Sequence, residues 1–269
     1  MDGGSRTPVE ITLDGKRVIK FVFVTWVTIE LGLVALDTVV NYGRMVPHIS
    51  DISQFRTMSN IAREDGIATW FSATQALLVA VALGLVSWRL YKTGDSKWRA
   101  RGWALVSAFF GYLAFDDASK VHERVATGVK KLLTDPDADV ETIFSIFPSY
   151  TWQLVFGPLF VGMALFMLFF FYREIRSNLL RFFVVCGLGC YTLAVGLDFV
   201  EGIVDGYDRV TDVLGTHPDF APHYGRVLEE FLEMLGTTFF LAAFLGHFTQ
   251  MCGPVDLRFS GDASPPEEA

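Results

Sequence analysis

Long apolar stretches broken by short polar ones dominate the chain. Six segments are almost wholly apolar: Ile19–Val40, Ala68–Leu90, Gly102–Phe115, Trp152–Tyr172, Phe182–Leu197 and Met234–Phe248. Crossing a hydrocarbon core of about 30 Å takes about 20 such residues in a helix. The runs are too long for strands, and a barrel would show short alternating segments instead. The pattern predicts an all-α, polytopic membrane protein. It is a bundle of about six transmembrane helices, at about 19–40, 68–90, 102–118, 152–172, 180–201 and 230–248. Residues 1–252 form one transmembrane domain, and the polar tail 253–269, with Pro265–Pro266, is expected to be disordered and cytoplasmic.

Composition agrees. The 269 residues are 51% hydrophobic and 19% charged, with 25 phenylalanines, whereas a soluble domain carries about a quarter charged residues. The formal charge of −8, with no basic patch clear of the spans, excludes a nucleic-acid partner. Cys186, Cys190 and Cys252 make no disulfide framework. The first 18 residues are mostly polar, and the following span is too long and too acidic for a cleavable signal.

Lysine and arginine set the orientation, because cytoplasmic loops carry the excess of basic residues. Lys16, Arg17 and Lys20 precede span one. Arg89, Lys92, Lys97, Arg99 and Arg101 link spans two and three, and Arg173, Arg176 and Arg181 link four and five. Both termini are therefore expected in the cytoplasm of a multi-pass cell-membrane protein, with loops 42–66, 124–151 and 204–227 outside.

With that topology the acids gather at the outer mouth. Span one carries Glu30 mid-span and Asp37 near its outer end. Span two starts after Glu64 and Asp65. Span three finishes in Asp116, Asp117, His122 and Glu123, and span five in Asp198 and Glu201. Span six starts after Glu229, Glu230 and Glu233. Gly102–Phe115 rises only about 21 Å at 1.5 Å per residue, so Asp116, Asp198 and Glu233 are expected below the headgroups, where acids usually face the bundle interior. Helical phase agrees. Glu30, Asp37 and Asn41 share a stripe, as do Asp116, Lys120 and Glu123 with Tyr112. Asp198, Glu201 and Asp205 form another, and Ser72 and Gln75 give span two a polar face.

Plain readings stand beside these. Asp116 to Glu123 also fits a helix end leaving the bilayer with Lys120 and Arg124 balancing the acids. His217 and His223 read as solvated loop residues, and Glu64 and Asp65 complement a helix dipole.

Carboxylates with one imidazole suit a hard divalent ion. The leading expectation is a site for iron, manganese or zinc held by Asp116, His122, Glu123, Glu201, Glu230 and Glu233, with Lys120 and Arg124 balancing charge. Asp117, Asp198, Glu30 and Asp37 are further intramembrane acids. Such a site would serve an enzyme acting on a lipid or other lipophilic substrate reached from the outer leaflet. The alternatives are a proton- or cation-coupled transporter using the same acids, with Glu30 as an inner station, and an accessory subunit of a membrane complex. Glu229-Glu230 lacks the arginine and later histidines of intramembrane CAAX-type proteases, which excludes that class.

Arg63-Glu64-Asp65-Gly66 before Trp70-Phe71-Ser72, Phe115-Asp116-Asp117 ahead of His122-Glu123, and Glu230 ahead of Glu233-Met234-Leu235-Gly236 together resemble a family of uncharacterised bacterial six-span membrane proteins. The likeness runs from about residue 60 onward. It implies the location of a site at the outer mouth and no reaction.

Overall fold

The computed structural model describes residues 9–42, 45, 47–63, 65–134, 143–215, 217–253 and 255–259. Six long helices form the bundle: α1 (Gly15–Asp37), α4 (Ile67–Lys92), α5 (Lys97–Ser119), α8 (Thr151–Glu174), α9 (Asn178–Glu201) and α11 (Phe220–Cys252). Short helices sit between them at one end: α2 (Pro47–Ser50), α3 (Ser53–Ser59), α6 (Val121–Leu133), α7 (Ile143–Ile146) and α10 (Gly206–Leu214). Local chemistry sets several boundaries. The Asp14 carboxylate caps α1 by accepting from the Lys16 amide at 3.1 Å. Gly94, at φ +68°, lets the chain leave α4 in the left-handed region.

Five of the long helices are long and apolar enough to cross a membrane. The exception, α5, carries arginines near its start and Asp116–Asp117 near its end. A small sheet indicates that it crosses too. Strand β1 (Val9–Leu13) pairs antiparallel with β2 (Val255–Phe259), Val9 opposite Phe259 and Leu13 opposite Val255. The first begins the described chain just before α1, and the second follows α11, so α1 starts where α11 ends. An even number of crossings is needed, and α5 supplies the sixth. The sheet also corrects one expectation: residues 255–259, assigned to a disordered tail, form a strand. Residues 260–269 lie outside the described residues.

Contacts align the helix ends. At the basic end Ser87 Oγ donates to the Ala100 carbonyl (2.8 Å), and Arg99 Nε reaches Glu174 at 2.8 Å. The exposed Trp88, Tyr91, Trp98 and Tyr172 lie at this end, as interfacial aromatics do. Lipid-facing apolar residues such as Phe21, Leu31, Leu77, Phe169 and Leu193 are exposed along the bundle. The interior is aromatic, with Trp103, Phe110, Phe171, Phe240 and Phe244 fully buried. The basic residues gather at this end, which is why it is expected on the cytoplasmic side. Cysteines at Ser96 and Asp208, in a background lacking Cys186, Cys190 and Cys252, test that. An impermeant thiol reagent on intact cells should label position 208 alone, and labelling at 96 alone would invert the orientation.

Helix α11 starts ten residues before the span expected at 230–248. Glu229, Glu230 and Glu233 thus lie two to four turns inside a continuous helix rather than at its mouth. The signal missed was local: Phe220 to Val227 reads as loop beside His217 and Pro218, yet Phe220, His223 and Tyr224 pack against Tyr42.

Candidate functional site

At the acidic end of the bundle the first feature is an elbow. Lys120 adopts a left-handed conformation (φ 49°) that ends α5 and opens α6. Asp116, four residues earlier and 5% exposed, ties the elbow together. Its Oδ1 accepts from the His122 amide at 2.8 Å and from the Tyr112 hydroxyl at 3.2 Å, and its Oδ2 meets His122 Nδ1. The imidazole lies edge-on to Trp152, with ring centroids 4.8 Å apart, which fastens α6 to α8. Glu123 is exposed and pairs with Lys120 Nζ at 3.2 Å. Arg124 is exposed as well.

A second group lies between α8, α9 and α11. Arg226, one turn outward from Glu230, donates from Nε to Glu201 Oε1 at 2.9 Å, and the Tyr150 hydroxyl donates to the same oxygen at 3.0 Å. Gln153 donates to Asp198 Oδ2 at 2.7 Å. In α10, burial first and the Glu201 charge second push the Tyr207 phenol up to about 12.

The third group is different. Asp117 lies against Ser72 of α4, and its Oδ2 is buried with no hydrogen-bond partner among the described residues. Glu230 and Glu233 of α11 lie within electrostatic range of Asp117 and of each other, and Glu233 also of Asp198. Glu229 adjoins Asp198, Glu233 and Glu201. Among the described residues no arginine or histidine pairs with Glu229, Glu230 or Glu233. Two cations are in electrostatic range, Lys120 of Glu230 and Arg226 of Glu229.

From there polar groups continue inward. The Thr237 hydroxyl donates to the Glu233 carbonyl at 2.8 Å and lies 2.7 Å from the Tyr191 hydroxyl. The next residue, Thr238, donates to Glu30 Oε1 at 2.5 Å, and Gln75 Nε2 donates to Glu30 Oε1 at 2.8 Å and to Thr238 Oγ1 at 2.9 Å. Glu30 and Gln75 are both 0% exposed. Asp37, also fully buried, accepts from Asn41 at 3.0 Å and has His223 Nε2 2.8 Å from its other oxygen, off the hydrogen-bond line. A π-helical turn, Thr38–Tyr42, follows it.

The six residues expected to share a divalent metal therefore do not form one set. Asp116 spends both oxygens on His122 and Tyr112, His122 spends Nδ1 on Asp116, Glu123 faces solvent with Lys120, and Glu201 is held by Arg226 and Tyr150. Only Glu230 and Glu233 stand together. Among the described residues, no three His, Cys, Asp or Glu side chains converge as metal ligands.

A family described as a domain of unknown function (DUF8692) matches residues 22–248. The chain belongs to that family. The match takes in α4, α5, α8 and α9 whole, α1 from Val22 and α11 as far as Phe248, with every acid of the three groups above. No curated protein and no solved structure matches the chain.

Sequence reasoning singled out Glu30, Asp37, Gln75 and the outer acids, but grouped six residues of the outer end as one ligand set, which the structure divides. It missed Arg226, Tyr191, Gln153, Thr238 and the contact of His223 with Asp37. Arg226 and His223 were hidden by the late start assigned to the last span. Tyr191 and Thr238 carry no signal in an apolar run beyond being polar.

Proposed function

We propose that this protein is a proton- or cation-coupled transporter of the cell membrane, loading from the extracytoplasmic side, with both termini in the cytoplasm. The observation that supports it is the crowded acid group Asp117, Glu230 and Glu233, which makes no ion pair with an arginine or histidine among the described residues and is continued inward by Tyr191, Thr237 and Thr238 to Glu30. Crowded carboxylates away from bulk water cannot all ionise, because like charge and desolvation both favour the protonated form. Such a group exchanges protons with the medium, or a proton for another cation. Asp116, His122, Glu201 and Arg226 frame the mouth and bond to one another in pairs.

The inward path stops at the aromatic core. From Thr238 to His247 is nine residues of α11, about 13 Å of rise, lined by Phe240, Phe244, Phe110 and Trp103. Beyond it lie His247, stacked on Trp103 with centroids 4.9 Å apart, and Glu174, which accepts from the Trp103 indole at 3.2 Å. A shut layer between two polar ends is what a carrier needs to keep the two sides of the membrane apart, and transport requires its aromatic side chains to part.

Proteoliposomes holding a pH-sensitive dye test the reading. A sodium or potassium gradient should change lumenal pH with the wild-type protein, and Glu230→Gln with Glu233→Gln should reduce the change at least tenfold. Equal pH changes in the two proteins would overturn it.

A further inference from the structure

Glu30, Gln75 and Thr238 come from α1, α4 and α11 and meet in the middle of the bundle, where a count of donors and acceptors gives an odd result. Gln75 has two N–H donors, one directed to Glu30 Oε1 and one to Thr238 Oγ1, and the Thr238 hydroxyl donates to Glu30 Oε1. Glu30 Oε1 thus takes two donors. Its Oε2 and the Gln75 Oε1 take none among the described residues, and both are fully buried. Two orphaned acceptors on adjacent side chains are each expensive, and an ionised carboxylate there would also lack a cation.

One added proton resolves both. We propose that Glu30 is a proton-binding site: it is held as the neutral acid, with the proton on Oε2 donated to Gln75 Oε1. Thr238 and the Gln75 amide fix the other oxygen, so the acid is oriented by three helices. Of the elements packed around it, α4 presents Gln75, α11 presents Thr238 and α9 presents the Cys190 thiol. Among the described residues no lysine, arginine or histidine is paired with it. The proton arrives from the outer acids and forms the O–H bond at Oε2. On leaving it breaks that bond and returns Glu30 to the carboxylate, so nothing else is consumed. The site deepens the transport reading and rests on it for its role, but its protonation can be read without any transport.

Infrared difference spectroscopy on the purified protein in lipid at neutral pH is the test. Wild type minus Glu30→Gln should show complete loss of one protonated-carboxyl carbonyl band, sensitive to exchange into heavy water. Glu30→Gln, a neutral mimic, should keep the wild-type melting midpoint. In Gln75→Leu, which keeps Glu30, the same band should move to higher frequency as its acceptor is lost, and this second variant serves if Glu30→Gln does not fold. Loss of a carboxylate doublet instead, or an unmoved band in Gln75→Leu, would overturn the proposal. So would a melting midpoint raised by sodium or potassium in the wild type and not in Glu30→Gln, which would assign a metal cation to the site. Absence of transport with the band in place would sink the transporter reading alone.

Discussion

Leucine at Gly236 should separate α9 from α11 and lower stability by about 3 kcal/mol or more. The two helices touch through facing glycines. A Cβ on Gly236 would lie 2.9 Å from the Tyr191 ring and 3.1 Å from the Gly187 carbonyl, and one on Gly187 would lie 3.1 Å from the Gly236 carbonyl. Small residues at such a crossing let helix backbones approach in lipid, where no hydrophobic force draws them together. The approach puts Tyr191 within 2.7 Å of Thr237, so a larger residue breaks the polar file as well as the packing. Gly189 is the control: it lies two residues from Gly187 on α9, and a Cβ there meets nothing within 4 Å. Thermal unfolding in detergent should show a large loss for Gly236→Leu and almost none for Gly189→Leu. Equal effects would mean that the close crossing contributes no stability.

The second large effect is a difference of sign between two neutralised acids. Glu201→Gln should destabilise at neutral pH by about 1 kcal/mol, since it removes the charge facing Arg226 in a half-exposed pair. Glu233→Gln should hold or raise stability, because among the described residues it has no ion-pair partner and sits within electrostatic range of Asp117 and Glu230. Relief of that repulsion is the expected gain. The sign difference should disappear at acid pH, where the repelling neighbours are protonated and neutralising Glu233 relieves nothing. Chelator should change neither result. Destabilisation by both variants, at all pH values, would make the whole cluster an ordinary ion-pair network.

The helical class and the crowding of acids at one end were legible because both depend on residue type and spacing, which sequence displays. Glu30 with Gln75, and Ser72 beside Asp117, follow from polar residues that face inward because lipid excludes them. Partner choice was less legible. Asp116 was read as a ligand, but a left-handed Lys120 folds the chain back so that Asp116 bonds His122, six residues on, and nothing in the pattern announces that reversal. Arg226 was missed because the last span was started at the edge of its apolar run, while the helix begins at Phe220, held by aromatic packing on Tyr42. The strands at the two ends escaped notice because each gains its hydrogen bonds only from the other.

The partners of α1 also bear on how the protein is made. Glu30 is matched by Thr238, 208 residues later, and Asp37 by His223, both on the last long helix. At about 5–20 residues per second, on the order of 10–40 s of translation separates the emergence of α1 from that of the helix that shields its acids. During that interval a carboxylate near the middle of a span carries a penalty of about 2.5–3.5 kcal/mol for insertion, offset by apolar neighbours worth about 0.3–0.6 kcal/mol each. Enough such neighbours flank Glu30 for the first helix to enter the bilayer alone. Its acids Glu30 and Asp37 are then expected to stay unshielded until α11 arrives and brings β2 to β1.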